Sequence, residues 1–246
     1  MKILVAISKA PDTTSKIKFT ADNTAFDTNG VQFIVNPYDE WYALVRGIEL
    51  KEANGGSVTT ITVGGADCDP VIRKALAVGA DDAVRIDAEP TDAFQVAKEI
   101  SDYATDKGFD LVLFGKETID YNGSQVPGMV AGLMDLPYIS NASQLDVDGN
   151  TMKAVRDIQG GTEELETSAP LVLSAAKGMA EQRIPNMRGI MAARSKKLEV
   201  VPSSGAEALT EITSYELPPA KSAVKLVDPD NMEELVNLLH NEAKAL

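Results

Sequence analysis

The stretch that decides the fold is DLVLFGKETIDYNGSQVPGMVAG, residues 110–132. Its apolar run at 111–114 predicts a parallel strand that is buried on both faces. Gly115 ends the strand, and a loop rich in Asp, Asn, Gly and Ser leads to Pro127 and Gly128, which open a helix of small residues. Many α/β proteins hold nucleotides on such a unit, because a helix N-terminus presents unpaired N–H groups and a partial positive charge. An ordinary turn remains an alternative, because neither the GxGxxG nor the GxxxxGK[ST] spacing is present.

The segments before this stretch alternate between strand and helix patterns. Strands are predicted at 2–7, 57–63 and 82–86, and helices at 40–53, 69–78 and 90–107. Asp39 is expected to cap the first helix, and the turn Thr28-Asn29-Gly30 predicts a small hairpin. The alternation indicates an α/β fold with a doubly wound, mostly parallel sheet, which binds ligands at the carboxyl ends of its strands. The loops expected at that edge are 8–13, 35–39, 63–66 and 115–128.

The pattern changes after residue 140. A β-hairpin is predicted at 143–158 and a further strand at 171–175. Residues 179–197 have no clear period and mix methionines with arginines, which is typical of a partner recognition loop, although a loop that packs its methionines inward fits equally well. We therefore expect an α/β nucleotide-binding domain at 1–200 that includes this loop. An extended C-terminal arm at 201–246 ends in a helix whose apolar stripe must dock on its own sheet domain or on another chain.

Composition excludes several classes of function. The formal net charge of −14 over 246 residues argues against nucleic acid as a partner. No apolar run is long enough for membrane insertion, and the single cysteine, Cys68, fits a reducing compartment, so a cytoplasmic protein is expected. With one histidine, His240, near the C-terminus, a nucleophilic triad and a metal site are not expected. The chain is thus predicted to have no catalytic residues of its own, and redox chemistry would require a bound cofactor.

Several motifs in matching order resemble the β subunit of electron transfer flavoproteins. They are KILVAI at 2–7, NPYDE at 36–40, RKALAVGAD at 73–81, GKETID at 115–120, RDIQGG at 156–161 and the segment 190–200. The resemblance implies an adenine-nucleotide-binding type of domain that forms a heterodimer with a larger α subunit. One FAD, held mainly by the α subunit, would accept electrons from dehydrogenases such as acyl-CoA dehydrogenases and pass them to a quinone reductase or another acceptor. A structural AMP would occupy the β subunit.

The same resemblance implies site residues on three of the four loops named above. The AMP contacts would be Ala6, Asn36, Pro37, Tyr38, Asp39, Val63, Asp120, Tyr121, Asn122, Gly123, Ser124, Gln125, Val126, Pro127, Gly128, Met129, Val130 and Ala131. Thr13 and Tyr38 would lie near the FAD. Segment 179–197 matches the family's recognition loop, with Met187 as the anchor for a dehydrogenase and with Arg183 and Arg188 beside it.

Two alternatives stay open beside this interpretation. In an electron-bifurcating version, the same pocket would hold a second FAD instead of AMP. In a non-redox adenine-nucleotide-binding module, the pocket would be present without electron transfer. A hydrolase is disfavoured, because no paired carboxylates lie beside a plausible nucleophile in the sequence.

Overall fold

The computed structural model describes residues 1–221 and 223–246, in which eleven strands and six α-helices are found. The strands are β1 (Lys2–Ala6), β2 (Lys9–Pro11), β3 (Phe33–Val35), β4 (Ser57–Val63), β5 (Asp82–Asp87), β6 (Leu111–Gly115), β7 (Tyr138–Asp148), β8 (Thr151–Ile158), β9 (Gly161–Ser168), β10 (Leu171–Ala175) and β11 (Leu198–Pro202). The helices are α1 (Asp39–Asn54), α2 (Asp69–Val78), α3 (Ala93–Ala104), α4 (Val126–Met134), α5 (Met187–Ala193) and α6 (Met232–Asn237).

Nine strands form one sheet in the order β11-β5-β4-β1-β6-β10-β7-β8-β9. The strands from β11 to β7 run parallel, and β8 and β9 add an antiparallel edge. Two neighbours, β1 and β6, lead in opposite directions: β1 continues through α1 to β4, and β6 continues through α4 towards β7. Their carboxyl ends therefore form the topological switch point, where open α/β sheets bind ligands.

The central strands β1, β6 and β10 are buried on both faces of the sheet, because their successive side chains point to opposite sides and helices cover each side. Ile3 and Leu113 pack with residues of α1 and α2 in one apolar cluster. Leu4 and Val112 pack with residues of α3 and α4 in the other. The predicted α/β fold class with a mostly parallel, doubly wound sheet is confirmed.

Some local predictions differ from the structure. Asp39 does not cap α1 but is its first residue, and the cap position belongs to Tyr38, whose φ of 65° lies in the left-handed region. The turn at Thr28 forms, with the Val31 N–H donating to the Thr28 carbonyl at 3.1 Å, yet the antiparallel pair nearby is β2 with β3. Strand β9 was missed because its many charged and small residues hide the alternation of an exposed edge strand.

The chain divides into two compact units, Met1–Ile17 with Asp27–Thr213, and Lys18–Phe26 with Ser214–Leu246. Within the second unit, the rings of Phe19 and Tyr215 stack at 4.9 Å, and the Tyr215 N–H donates to the Asn23 carbonyl at 2.8 Å. Helix α6 begins after Asn231, which caps it by accepting the Glu234 N–H. None of the residues of α6 is buried by the described part of the chain. In residues 1–221 and 223–246, no helix is long and apolar enough to span a membrane.

Candidate functional site

Hydrogen bonds connect the loops at the switch point. The side chain of Asn36, which is fully buried, donates to the Glu117 carbonyl at 3.1 Å and accepts the Ile119 N–H at 2.9 Å. Its own N–H donates to the Ser8 carbonyl at 3.2 Å. One asparagine therefore connects the loop after β6 to the residues that follow β1, and a buried side-chain amide bonded to two backbone groups tolerates little displacement.

The buried carboxyl group of Glu40 lies between the ends of β1 and β6, at the base of the switch point. Its carboxyl group accepts the Ser8 N–H at 2.8 Å and the Ser8 hydroxyl at 2.7 Å. Gly115 makes room for this arrangement, because a Cβ placed on it would lie 2.6 Å from the Glu40 nitrogen and 2.7 Å from Glu40 Cγ. The start of α1 can thus approach the end of β6 only because residue 115 has no side chain.

The protonation of Glu40 is unusual for a carboxyl group. The pKa of Glu40 is raised to about 8, chiefly by burial and also by the charges of Asp120 and Asp39, against the two hydrogen bonds from Ser8 that lower it. Burial is also the main reason why the pKa of Asp39 is raised, while the Lys116 ammonium acts in the opposite direction. At neutral pH the floor of the switch point therefore carries a neutral carboxyl group, which removes one negative charge from a place where an anion could bind.

The loop between β6 and α4 offers donors to an anion. Asn122 and Ser124 adopt positive φ values of 48° and 51°, and both residues are exposed. The first turn of α4 contains no acidic residue, and Gln125 makes no capping hydrogen bond with its side chain anywhere in the described chain. Ser124 donates to the Glu117 carboxylate at 3.2 Å, which leaves the N-terminal N–H groups of the helix to another acceptor. This donor set fits a phosphate group.

The implied nucleotide contacts differ widely in exposure. Ala6 and Val63 lie at the carboxyl ends of β1 and β4, whereas Tyr38 and Tyr121 are exposed at 60% and 70%. The residues from Asp120 to Gln125 are exposed, and Pro127 is buried. Val130 and Ala131 are packed in the apolar cluster beneath α4. Thr13 lies in an exposed turn after β2.

The segment 179–197 has one buried methionine and others that are exposed. Met179 packs inward at 4% exposure, and Met187 points outward at 74%. Part of the segment is the helix α5, which Asn186 caps by accepting the Gly189 N–H at 2.9 Å. The Arg183 guanidinium forms two hydrogen bonds to the Glu52 carboxylate, at 2.8 and 3.0 Å, so its charge is already paired within the chain.

Sequence reasoning missed several of these residues. Glu40 was named only as part of a helix and of the motif at 36–40, and Ile184 was not proposed as a site residue, although it is 79% exposed beside Arg183. A sequence signal for Glu40 existed, because it is a carboxylate in the first turn of a predicted helix and ends the Asn36–Glu40 motif. Ile184 gave no such signal, because exposure of a single apolar residue depends on where the backbone turns.

The fold and the carboxyl edge of the sheet together define an open, doubly wound α/β protein. Its switch point has a site compatible with an anionic ligand. The family model described as "Electron transfer flavoprotein domain" matches residues 23–206. The chain is 36% identical to the "Electron transfer flavoprotein subunit beta" of Bacillus subtilis (strain 168), with 100% of both chains covered. It is 35% identical to the human protein of that name, covering 96% of this chain and 95% of the relative. This chain belongs to the electron transfer flavoprotein family, among its β subunits.

Proposed function

We propose that this chain pairs with an α subunit, holds a structural AMP at the switch point, and helps an FAD of the heterodimer carry electrons from acyl-CoA or similar dehydrogenases to a quinone reductase or another acceptor. The observation that carries the proposal is the meeting of full-length similarity to β subunits with a hydrogen-bonded strand edge suited to a phosphate.

The support for AMP is the donor set at the edge. The N-terminal N–H groups of α4 would hold the phosphate, and Asn36 would keep the loop before them in place. Neutral Glu40 would lower the electrostatic cost of the phosphate charge. The exposed ring of Tyr38 lies beside this edge, where it could shield a flavin held by the α subunit. FAD supplies the redox chemistry when it is bound, and the residues of this chain orient, shield and exclude water.

The support for an α subunit is the C-terminal arm. Leu217, Val224 and Leu226 are exposed at 53%, 82% and 89%, and α6 presents Met232 and Val236 at 51% and 55%. So many exposed apolar residues in one arm favour burial against another protein. Of the two occupants that the sequence left open for the terminal helix, another chain is therefore the one we propose.

The nucleotide content tests the proposal directly. After co-expression with the α subunit from the same genome, we expect the purified heterodimer to release one FAD and one AMP on denaturation, measured by mass spectrometry and flavin absorbance. Two FAD with no AMP would replace the proposal by the electron-bifurcating version. Recovery of this chain without an α subunit, with bound adenine nucleotide and without flavin absorbance, would instead support the non-redox module.

The exposed side chain of Met187 is expected to contact the dehydrogenase. Replacing Met187 with Ala removes most of the apolar surface of the segment's central side chain, and we expect KM for the reduced dehydrogenase to rise roughly tenfold, the range of a moderate interface hot spot. Bound FAD and AMP should be unchanged. Stopped-flow reduction by an acyl-CoA dehydrogenase measures the effect.

A matched control is Val200→Ala, since Val200 is 51% exposed and lies outside segment 179–197. It should leave KM within about twofold of the wild-type value, as expected for a surface substitution away from an interface. Equal KM values for wild type, Met187→Ala and Val200→Ala would remove the anchor role of Met187.

A further inference from the structure

The exposed apolar residues of segment 179–197 do not hold that segment in place. Ile184, Met187 and Met191 are exposed at 79%, 74% and 58%, so they contribute little to the packing of their own backbone. A short helix of this kind is not stable by itself in water. Its conformation must therefore come from contacts made by other residues, and these contacts lie on α1 and α2.

The first contact is made by α1. The buried Trp41 donates its indole N–H to the Arg183 carbonyl at 3.2 Å. The Arg183 side chain runs back to Glu52 near the other end of α1 and pairs with it at 2.8 Å. Contacts from both ends of α1 therefore fix the position of Arg183, immediately before Ile184.

The second contact is made by α2, at the other end of the segment. One guanidinium nitrogen of Arg73 donates to the Ala193 carbonyl at 2.8 Å and to the Lys196 carbonyl at 2.7 Å. These carbonyls belong to the last turn of α5 and to the residues after it. Carbonyl groups at a helix C-terminus have no partners within the helix and attract a cation. In return, the Lys196 ammonium donates to the Leu76 carbonyl at 3.0 Å.

Between these two ends, α5 touches α2 at backbone distance. A Cβ on Gly189 would lie 2.3 Å from the Ala77 carbonyl oxygen, so the helix can approach α2 closely only at a glycine. Ala193, the last residue of α5, is 3% exposed against the same apolar cluster. One side of α5 is thus occupied by α2, and its Met187 side remains outside.

We infer that Trp41 and Arg73 are positioning residues, which hold residues 183–196 as a preformed platform for the electron-donating partner by binding backbone carbonyls at both ends of the segment. This inference rests on the proposed docking role of the segment. The residues that frame the platform and the residues that touch the partner are two separate sets. Because the frame binds carbonyl groups, the exposed side chains can change without altering the path of the backbone, and docking requires little ordering of the segment.

The test uses the heterodimer with Arg73→Met, which keeps the apolar stem and removes the donors, and with Arg73→Lys, which restores a cation. We expect amide hydrogen exchange in residues 187–197 to be about tenfold faster in Arg73→Met, because carbonyls that lose a charged donor open more easily. KM for an acyl-CoA dehydrogenase reduced by its acyl-CoA substrate should rise about fivefold, with kcat within about twofold, since positioning affects encounter rather than electron transfer. Arg73→Lys should recover part of both changes.

The charge control is Lys98→Met, which removes one cation from an exposed pair with Asp102 on α3 and should behave as wild type. Trp41→Phe supplies the second frame variant if Arg73→Met does not fold, with faster exchange expected around residue 184. Unchanged exchange and KM in the frame variants would overturn the inference. An increase of KM in Met187→Ala without one in Arg73→Met would overturn it while leaving the docking role intact, whereas no change in either variant would remove both.

Discussion

Glu40→Gln is expected to stabilise the protein more and more as pH rises. The pKa of Glu40 is about 8 in the folded protein against an ordinary value of 4.5, and burial is the main cause. Between these values the unfolded chain has lost the proton that the folded chain keeps, so wild-type stability falls with pH by about 1.4 kcal/mol per unit. Gln does not titrate and can still accept the Ser8 N–H and donate to the Ser8 hydroxyl. The free energy of unfolding of Glu40→Gln minus that of the wild type should therefore be about 3 kcal/mol larger at pH 7 than at pH 4.5.

Urea unfolding of both proteins across this pH range measures the gain. Glu99→Gln is the matched control, because Glu99 is also a buried carboxyl, at 1% exposure, with a shift of opposite sign. Burial would raise the pKa of Glu99, but donors from Ser203, Ser204 and Ala206 outweigh it and lower the pKa. Its ionised form therefore contributes stability above its ordinary pKa, and Glu99→Gln should be destabilising at neutral pH. Parallel profiles for wild type and Glu40→Gln would show that Glu40 is ionised in the folded protein.

Gly115→Ala should distort the carboxyl edge of the sheet where β6 meets the start of α1. The added Cβ would lie 2.6 Å from the Glu40 nitrogen and 3.0 Å from the Asp39 carbonyl carbon, so the start of α1 or the end of β6 must move. Overpacking against backbone atoms costs about 2–4 kcal/mol, and the movement would also disturb the Ser8 contact of Glu40. We expect a lower unfolding midpoint and loss of AMP from the purified heterodimer.

The control for this variant is Gly132→Ala. Gly132 lies in α4, is exposed and would meet no atom of the described chain within 4 Å of a new Cβ. Alanine in a helix is favoured over glycine by about 0.5–1 kcal/mol, so Gly132→Ala should be neutral or slightly stabilising with AMP retained. Full stability in Gly115→Ala would contradict the close approach of α1 to β6.

Sequence reasoning succeeded where periodicity is strong. The apolar run in β6 and the alternation in β4 predicted both strands, because a parallel strand buried on two faces leaves few residue types to choose from. The start of α2 was predicted from Asp69 and Pro70, since proline is favoured in a first helical turn. It failed at the two edge strands. The many charged and small residues of β9 hide its alternation, and β11 pairs with β5, which is distant in the chain.

The amino-acid sequence alone determined the α/β class, the loops that meet at the switch point and the membership in the flavoprotein family, because these follow from local patterns and ordered motifs. Only the tertiary structure decided that Glu40 is neutral between β1 and β6, that Arg183 is paired with Glu52, and that Arg73 binds the carbonyls of α5. The physical reason is that protonation, ion pairing and backbone capping depend on burial and on the distance between residues far apart in the chain. The periodicity of a sequence does not report burial or such distances.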